Sequence, residues 1–380
     1  MVVVSDVVIH ILSKLPPESL LRFKSVCKTW YALINDPKFV TKHLLDSSPH
    51  KHVLLKRIII NNSGKKEHVF SLLKFSLDRS VSSILDIPLP LIDHEDNPAL
   101  RISGHSHGLI CLSDSTPDIF LCNPMTRQFR KLPPTVIVDD SEPQDIDEMQ
   151  EDADLMPKAV GFGYDVQCGD FKVVRVMSHW RDIVCYPSKV EIYDLRKDRW
   201  REIKTTVVAD VFWQPSFDTY HEGTFYWFGL SGVNEKQVML TFDMSKEVFG
   251  KISLPESFHF SKGNYRSLMV LNGSLCLFSY PPFENNEIDF EIWEMEKVEY
   301  DVVSWSKLLT IGPLFGIEYP IVFLSANELL MESKEGQLIL YDFKTQQIKE
   351  LHVRSEAMWK EDAINWFGGI NLFVKSLVSL

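Results

Sequence analysis

Long apolar runs are absent from this chain: none approaches the roughly 18 consecutive apolar residues that a membrane-spanning helix needs. The opening MVVVSDVVIHIL is apolar but short. It carries Asp6, lacks a basic start and has no small-residue cleavage site, so it does not read as an export signal. The expected location is the cytoplasm or the nucleus, with no membrane partner. Cysteine is sparse. Cys27, Cys111, Cys122, Cys168, Cys185 and Cys276 are scattered without a Cys-x-x-Cys pair, which argues against a disulfide framework or a zinc site. Excess positive charge is also missing. The net charge of −12 argues against a nucleic-acid partner.

Catalytic patterns are missing as well. His105 and His107 stand two apart on an expected strand, both facing one side, but no further ligand lies near them in sequence. Gly161 and Gly163 lack the third glycine and the following helix of a nucleotide loop. No nucleophile elbow occurs, and Cys168 in QCGD reads as a turn residue. No catalytic residue, metal or cofactor is expected.

What is present is an uneven chain. Residues 1–51 carry +3, and the remainder carries −15. A basic head and an acidic body suggest two modules with different partners. In the head, Val8, Ile9, Leu12 and Leu15 fall at helical spacing, and Pro16 and Pro17 end that helix. Leu20, Phe23, Cys27, Trp30 and Ile34 follow at steps of three and four, and Leu21, Val26 and Leu33 widen the stripe. The head thus reads as three helices. A helix apolar over so much of its girth needs burial on two sides. About 40 residues cannot supply that alone. Either the head docks on the body of its own chain, or another protein covers it.

The stretch LPPESLLRFKSVCKTWYALINDPKFVTKHL resembles an F-box. Leu15-Pro16, Leu20, Arg22, Val26, Cys27, Trp30, Leu33, Ile34, Asp36, Phe39 and His43-Leu44 follow its pattern. Val3-Val4-Ser5-Asp6 departs from the Leu-Pro-x-Asp/Glu that usually opens helix one. The resemblance implies a module over 1–45 that grips a Skp-type adaptor and, through it, a cullin. The adaptor-binding residues it implies are Asp6, Leu15, Pro16, Leu20, Leu21, Val26, Cys27 and Trp30, with Leu20 facing the adaptor and Trp30 knitting the helices together.

Beyond residue 45 the pattern turns to strands. Five stretches, beginning IFLCNPMTRQF, VEIYDLRKDRW, MLTFDMSKEVF, FEIWEMEKVEY and LILYDFKTQQI, each read as strand, polar turn, strand. Asp194, Asp243, Glu294 and Asp342 occupy equivalent turn entries spaced 49, 51 and 48 residues apart. Asn123 precedes Asp194 by 71 residues, with an acidic insertion between them, and Asp78 marks an earlier copy. Upstream of the hairpins, Gly108, Gly223, Gly273 and Asn327 suit tight turns that need positive φ. A period near 50 residues with four strands per repeat predicts a kelch-like β-propeller over 46–380. The count is six blades, with five or seven as alternatives. The tail NWFGGINLFVKSLVSL is expected to complete a first blade begun by HVLLKRIII.

The body also resembles the F-box-associated domain of plant proteins, through GFGYDVQCGDFKVVRV, GHSHGLICL and CNPMTRQFRKLP. The whole chain is similar to the S-locus F-box proteins of solanaceous pollen. That resemblance implies a non-catalytic receptor of a Skp–cullin–F-box ubiquitin ligase that recognises S-RNases, which are basic. The acidic loop 139–156 fits such a target through Asp139, Asp140, Glu142, Asp145, Asp147, Glu148, Glu151, Asp152 and Asp154. A solvated insertion with no partner is the competing reading of those nine acids. Two rivals stand beside the whole: a receptor of the same build with another target, and a propeller enzyme or sugar-binding module whose head docks internally.

Overall fold

Strand alternation decides the architecture. The computed structural model describes residues 6–47, 52–61, 63–76, 78–89, 101–113, 118–135, 137, 155–179, 189–211, 218–231, 236–255, 265–281, 287–297, 303–354 and 368–380. Four helices come first: α1 (Asp6–Ser13), α2 (Pro17–Phe23), α3 (Lys28–Ile34) and α4 (Pro37–Ser47). Six antiparallel sheets follow. Blade 1 begins with β1 (His52–Ile60), β2 (Lys66–Phe75) and β3 (Val81–Pro88). Blade 2 holds β4 (Arg101–Ser106), β5 (Leu109–Ser113), β6 (Ile119–Asn123) and β7 (Gln128–Lys131). Blade 3 holds β8 (Leu155–Asp165), β9 (Asp170–His179), β10 (Lys189–Asp194) and β11 (Arg199–Ile203). In blade 4 the inner strand is split into β12 (Asp210–Val211) and β13 (Thr219–His221), which pair with opposite ends of β14 (Thr224–Ser231). β15 (Lys236–Asp243) and β16 (Val248–Ser253) complete it. Blade 5 holds β17 (Tyr265–Leu271), β18 (Ser274–Tyr280), β19 (Glu287–Lys297) and β20 (Val303–Phe315). Blade 6 holds β21 (Ile317–Ser325), β22 (Glu328–Ser333), β23 (Gln337–Asp342) and β24 (Gln347–Arg354). The last strand, β25 (Gly368–Phe373), returns to blade 1 and pairs with β1, His52 opposite Phe373. The protein is therefore a six-bladed propeller whose first blade is closed by its last strand. Among the described residues, no helix is long and apolar enough to cross a membrane.

Two kinds of turn set the register. Between the first and second strands, His107-Gly108, Glu222-Gly223 and Asn272-Gly273 all have positive φ at both positions, the geometry of a two-residue type I′ hairpin. Asn327 departs from the expectation, because the turn it shares with Ala326 has no residue at positive φ. Between the third and fourth strands the loop has four residues in blades 2, 3, 4 and 6 and five in blades 1 and 5. The entry side chain folds back as an Asx turn: Asp243 Oδ1 accepts from Ser245 N and Lys246 N, each at 2.9 Å. Asp342 and Asn123 do the same in their blades. Glu294 is not a turn entry. It lies inside β19 opposite Ser306, because the alternation of FEIWEMEK carries that strand on to Lys297. The copy at Asp78 exists, but Ser76 opens its turn.

The topology makes the two faces of the ring unequal. Every first-to-second and third-to-fourth connection falls on one face, and none exceeds five residues. The strand ends that flank the connections of 9 to 23 residues (89–100, 132–154, 180–188, 254–264 and 355–367) all lie on the other. We call these the turn face and the loop face. Chain entry at His52 and exit after Phe373 both lie on the turn face, so the helical head sits there.

Blade joints combine apolar cores with a few placed charges. Between blades 1 and 6, Arg57 Nη1 donates to Arg354 O at 2.7 Å, and its Nη2 meets Asp86 Oδ1 at 3.0 Å. Between blades 3 and 4, the buried Lys172 Nζ reaches Asp165 (2.6 Å), Glu247 (2.7 Å) and Met244 O (2.8 Å). Losing one member of such a group would strand the others without water, which makes it structurally demanding.

Candidate functional site

The head has a core of its own. Leu12, Leu20, Ile34 and Phe39 are buried together, and Leu377 from the chain's last residues joins them. Asp36 caps α4 by accepting from Lys38 N at 2.8 Å, and Pro37 suits its first turn. His43 Nε2 donates to Leu15 O at 2.8 Å, which ties α4 to the link between α1 and α2. The head has four helices where the spacing predicts three. The apolar stripe from Leu20 to Ile34 is interrupted at Cys27, whose extended backbone starts α3 and whose Sγ accepts from Trp30 N.

The implied adaptor residues divide by exposure. Leu20 is 0% exposed, so it belongs to the head's core and does not face outward; that expectation is corrected. Leu15, Leu21 and Trp30 are half-buried, with Trp30 packed on Phe23 at 5.3 Å between ring centroids. Asp6, Pro16, Val26 and Cys27 are exposed. The structure adds residues that the motif did not name. Val7 (67% exposed) and Ile11 (56%) stand one turn apart on α1, and Tyr31 (58%) stands one turn beyond Cys27. Four of the twelve exposed large hydrophobic side chains among the described residues, Val7, Ile11, Val26 and Tyr31, thus lie on this small module.

The nine acids from Asp139 to Asp154 lie outside the described residues. The segment leading to them is firmly held. Trp200 Nε1 donates to Pro133 O at 2.8 Å. Glu191, fully buried, accepts from Thr135 Oγ1 (2.9 Å) and Ile137 N (3.0 Å), and it pairs with Arg175 at 2.6 Å. The Arg175 guanidinium lies 4.0 Å from the centroid of the Trp200 ring. Sequence reasoning missed this anchor; the signal for it is the Arg175–Glu191 charge pair in facing strands.

The residues weighed as chemical candidates occupy structural positions. His105 is on β4, while His107 sits in the following turn at φ +52, so the pair does not share a strand face as expected. Enclosure pushes His105 down to about 4. Cys168 Sγ donates to Asp165 Oδ2 at 3.0 Å, and burial together with that carboxylate raises its pKa, which disfavours the reactive thiolate. Among the described residues, no group of three or more His, Cys, Asp or Glu could hold a metal ion.

A four-helix head with exposed apolar side chains, seated on the turn face of a closed six-bladed ring, is the build of an F-box propeller protein. The chain belongs to that family: the profile of the F-box associated beta propeller domain matches residues 63–380, and that of the F-box domain matches residues 4–42. Curated relatives from Arabidopsis thaliana align along nearly the whole length. F-box protein CPR1 is 26% identical, covering 92% of this chain and 84% of its own. F-box/kelch-repeat protein At3g17530 is 26% identical over 99% of this chain and 94% of its own. F-box protein At5g49610 is 28% identical over 91% and 90%.

Proposed function

We propose that this chain is the substrate-recognition subunit of a Skp–cullin–F-box ubiquitin ligase, working in the cytoplasm or nucleus. The head binds a Skp-type adaptor, and the adaptor links it to a cullin. The observation that carries this reading is the exposed apolar set Val7, Ile11, Val26 and Tyr31 on a module matched as an F-box. The chain itself performs no chemistry. It holds a target so that the target's lysines lie near the conjugating enzyme, converting a bimolecular encounter into a positioned one. The loop face is the target side, because it carries the long connections and lies opposite the head.

The narrower reading makes the target a basic protein, an S-RNase of the style. It rests on the resemblance to S-locus F-box proteins and on the nine acids of 139–154. A receptor with a different target is the competing reading. The test has two arms. Co-purification with a Skp-type adaptor should recover a complex, and its absence would remove the receptor reading altogether. A binding panel of style ribonucleases against other basic proteins of similar charge then decides the target. Selective binding within the ribonucleases supports the narrower reading, and equal binding to all members defeats it.

A further inference from the structure

After β25 closes the ring, the chain continues for seven residues across the turn face, from Val374 to Leu380. From Lys375 to Val378 their contacts alternate, and Ser379 and Leu380 both meet Gln128 of blade 2. Lys375 Nζ meets Glu18 of α2 at 2.6 Å, and Leu377 fills the core of the head. Ser376, Val378 and Leu380 turn the other way, toward blade 2 and its seam with blade 3. Val378 and Leu380 pack on the cluster containing Leu109, Phe171 and Tyr193. This is the period of two of an extended chain, with a different module on each side.

Blade 2 is shaped to receive the segment. A Cβ at Gly108 would lie 2.2 Å from Ser376 Cβ, so only glycine leaves room there. Asn123 shows the fit more sharply. In blades 3, 4 and 6 the equivalent turn entry is an aspartate, namely Asp194, Asp243 and Asp342. Asn123 makes the same Asx turn with its Oδ1, but its Nδ2 donates to Ser376 O (3.2 Å) and Val378 O (2.7 Å). Aspartate would serve the turn equally well and would set a carboxylate against two carbonyls. The amide is needed for the tail alone.

We infer that residues 374–380 are a two-sided strap that fixes the orientation of the helical head on the propeller. Along the sequence, the head is joined to the ring by the short stretch between Ser47 and His52. This inference stands on intramolecular contacts and holds whether or not the chain is a ligase receptor.

The experiment places spin labels on the exposed Cys27 of the head and on a cysteine introduced by Val166→Cys at an exposed position of blade 3, with Cys168 and Cys185 replaced by serine. The full-length chain should give one narrow distance distribution. Three variants follow: Asn123→Asp, removal of 374–380, and Leu377→Asp. Asn123→Asp is the decisive one, because it keeps the turn cap and leaves the head's core untouched. It should lose the single narrow peak while the propeller's melting temperature stays that of wild type. Removal of 374–380 should broaden the distribution further and leave the ring closed by β25. Leu377→Asp should broaden it as well. If Asn123→Asp and the truncation both keep the narrow peak at its wild-type position, the strap does not set the orientation and the inference fails.

Discussion

At the scale of single residues, Leu20 and His43 carry the sharpest consequences. Leu20 has the sequence signature of an interface residue and the burial of a core residue. Leu20→Ala should therefore cost about 2–5 kcal/mol of head stability, as truncations in packed cores do. Hydrogen exchange should show protection lost across α1 to α4 and unchanged in the blades. Wild-type protection of the helices would return Leu20 to the surface. Burial pushes His43 below its ordinary 6.5, even though its hydrogen bond to Leu15 O acts the other way. The unfolded chain then takes up a proton before the folded head does. Stability of the head is full above pH 6.5 and falls as the pH drops below it. NMR titration of the imidazole should find a midpoint under 6.5, and His43→Gln should flatten the acid side of the head's stability profile. A midpoint at or above 6.5 contradicts this account.

At the scale of elements, closure by β25 is the feature most open to test. Deleting 368–380 removes the partner of β1 and leaves an unpaired strand edge in blade 1. Aggregation and a lowered melting temperature are expected by light scattering and calorimetry; a monomer that melts like wild type would contradict the closure. This element was legible because the apolar tail and HVLLKRIII were each strands short of a complete blade. The tight hairpins were legible for a similar reason: a glycine at Gly108, Gly223 or Gly273 reports a local backbone requirement. Other elements were not legible. Nothing between Ser25 and Cys27 breaks a helix by type, so the apolar period runs through a real interruption. Glu294 matched a spacing, but alternation carried its strand onward. The grip of Asn123 on the tail joins residues more than 250 apart, and no local pattern announces such a contact.

At the scale of the whole molecule, the two faces of the ring are unequal. The head and residues 374–380 lie on the turn face, and the strand ends flanking the long connections lie on the other. If the acids from Asp139 to Asp154 serve a basic target, their effect is mainly on association rate, screened over about 8 Å at physiological salt. Replacing them with Asn and Gln should slow association and flatten its salt dependence while leaving the preference among targets intact. Identical salt slopes would make the stretch a bystander. The central claim, that the chain is a receptor held by its head, is tested most directly by titrating a Skp-type adaptor against three proteins. These are wild type, the Val7→Asp/Ile11→Asp variant, and the variant with the acids of 139–154 neutralised. The account predicts that the head variant loses at least about tenfold in affinity, roughly 1.4 kcal/mol, with an unchanged propeller melt, while the neutralised variant binds as wild type does. Equal binding by the head variant, or no binding by wild type, would contradict it.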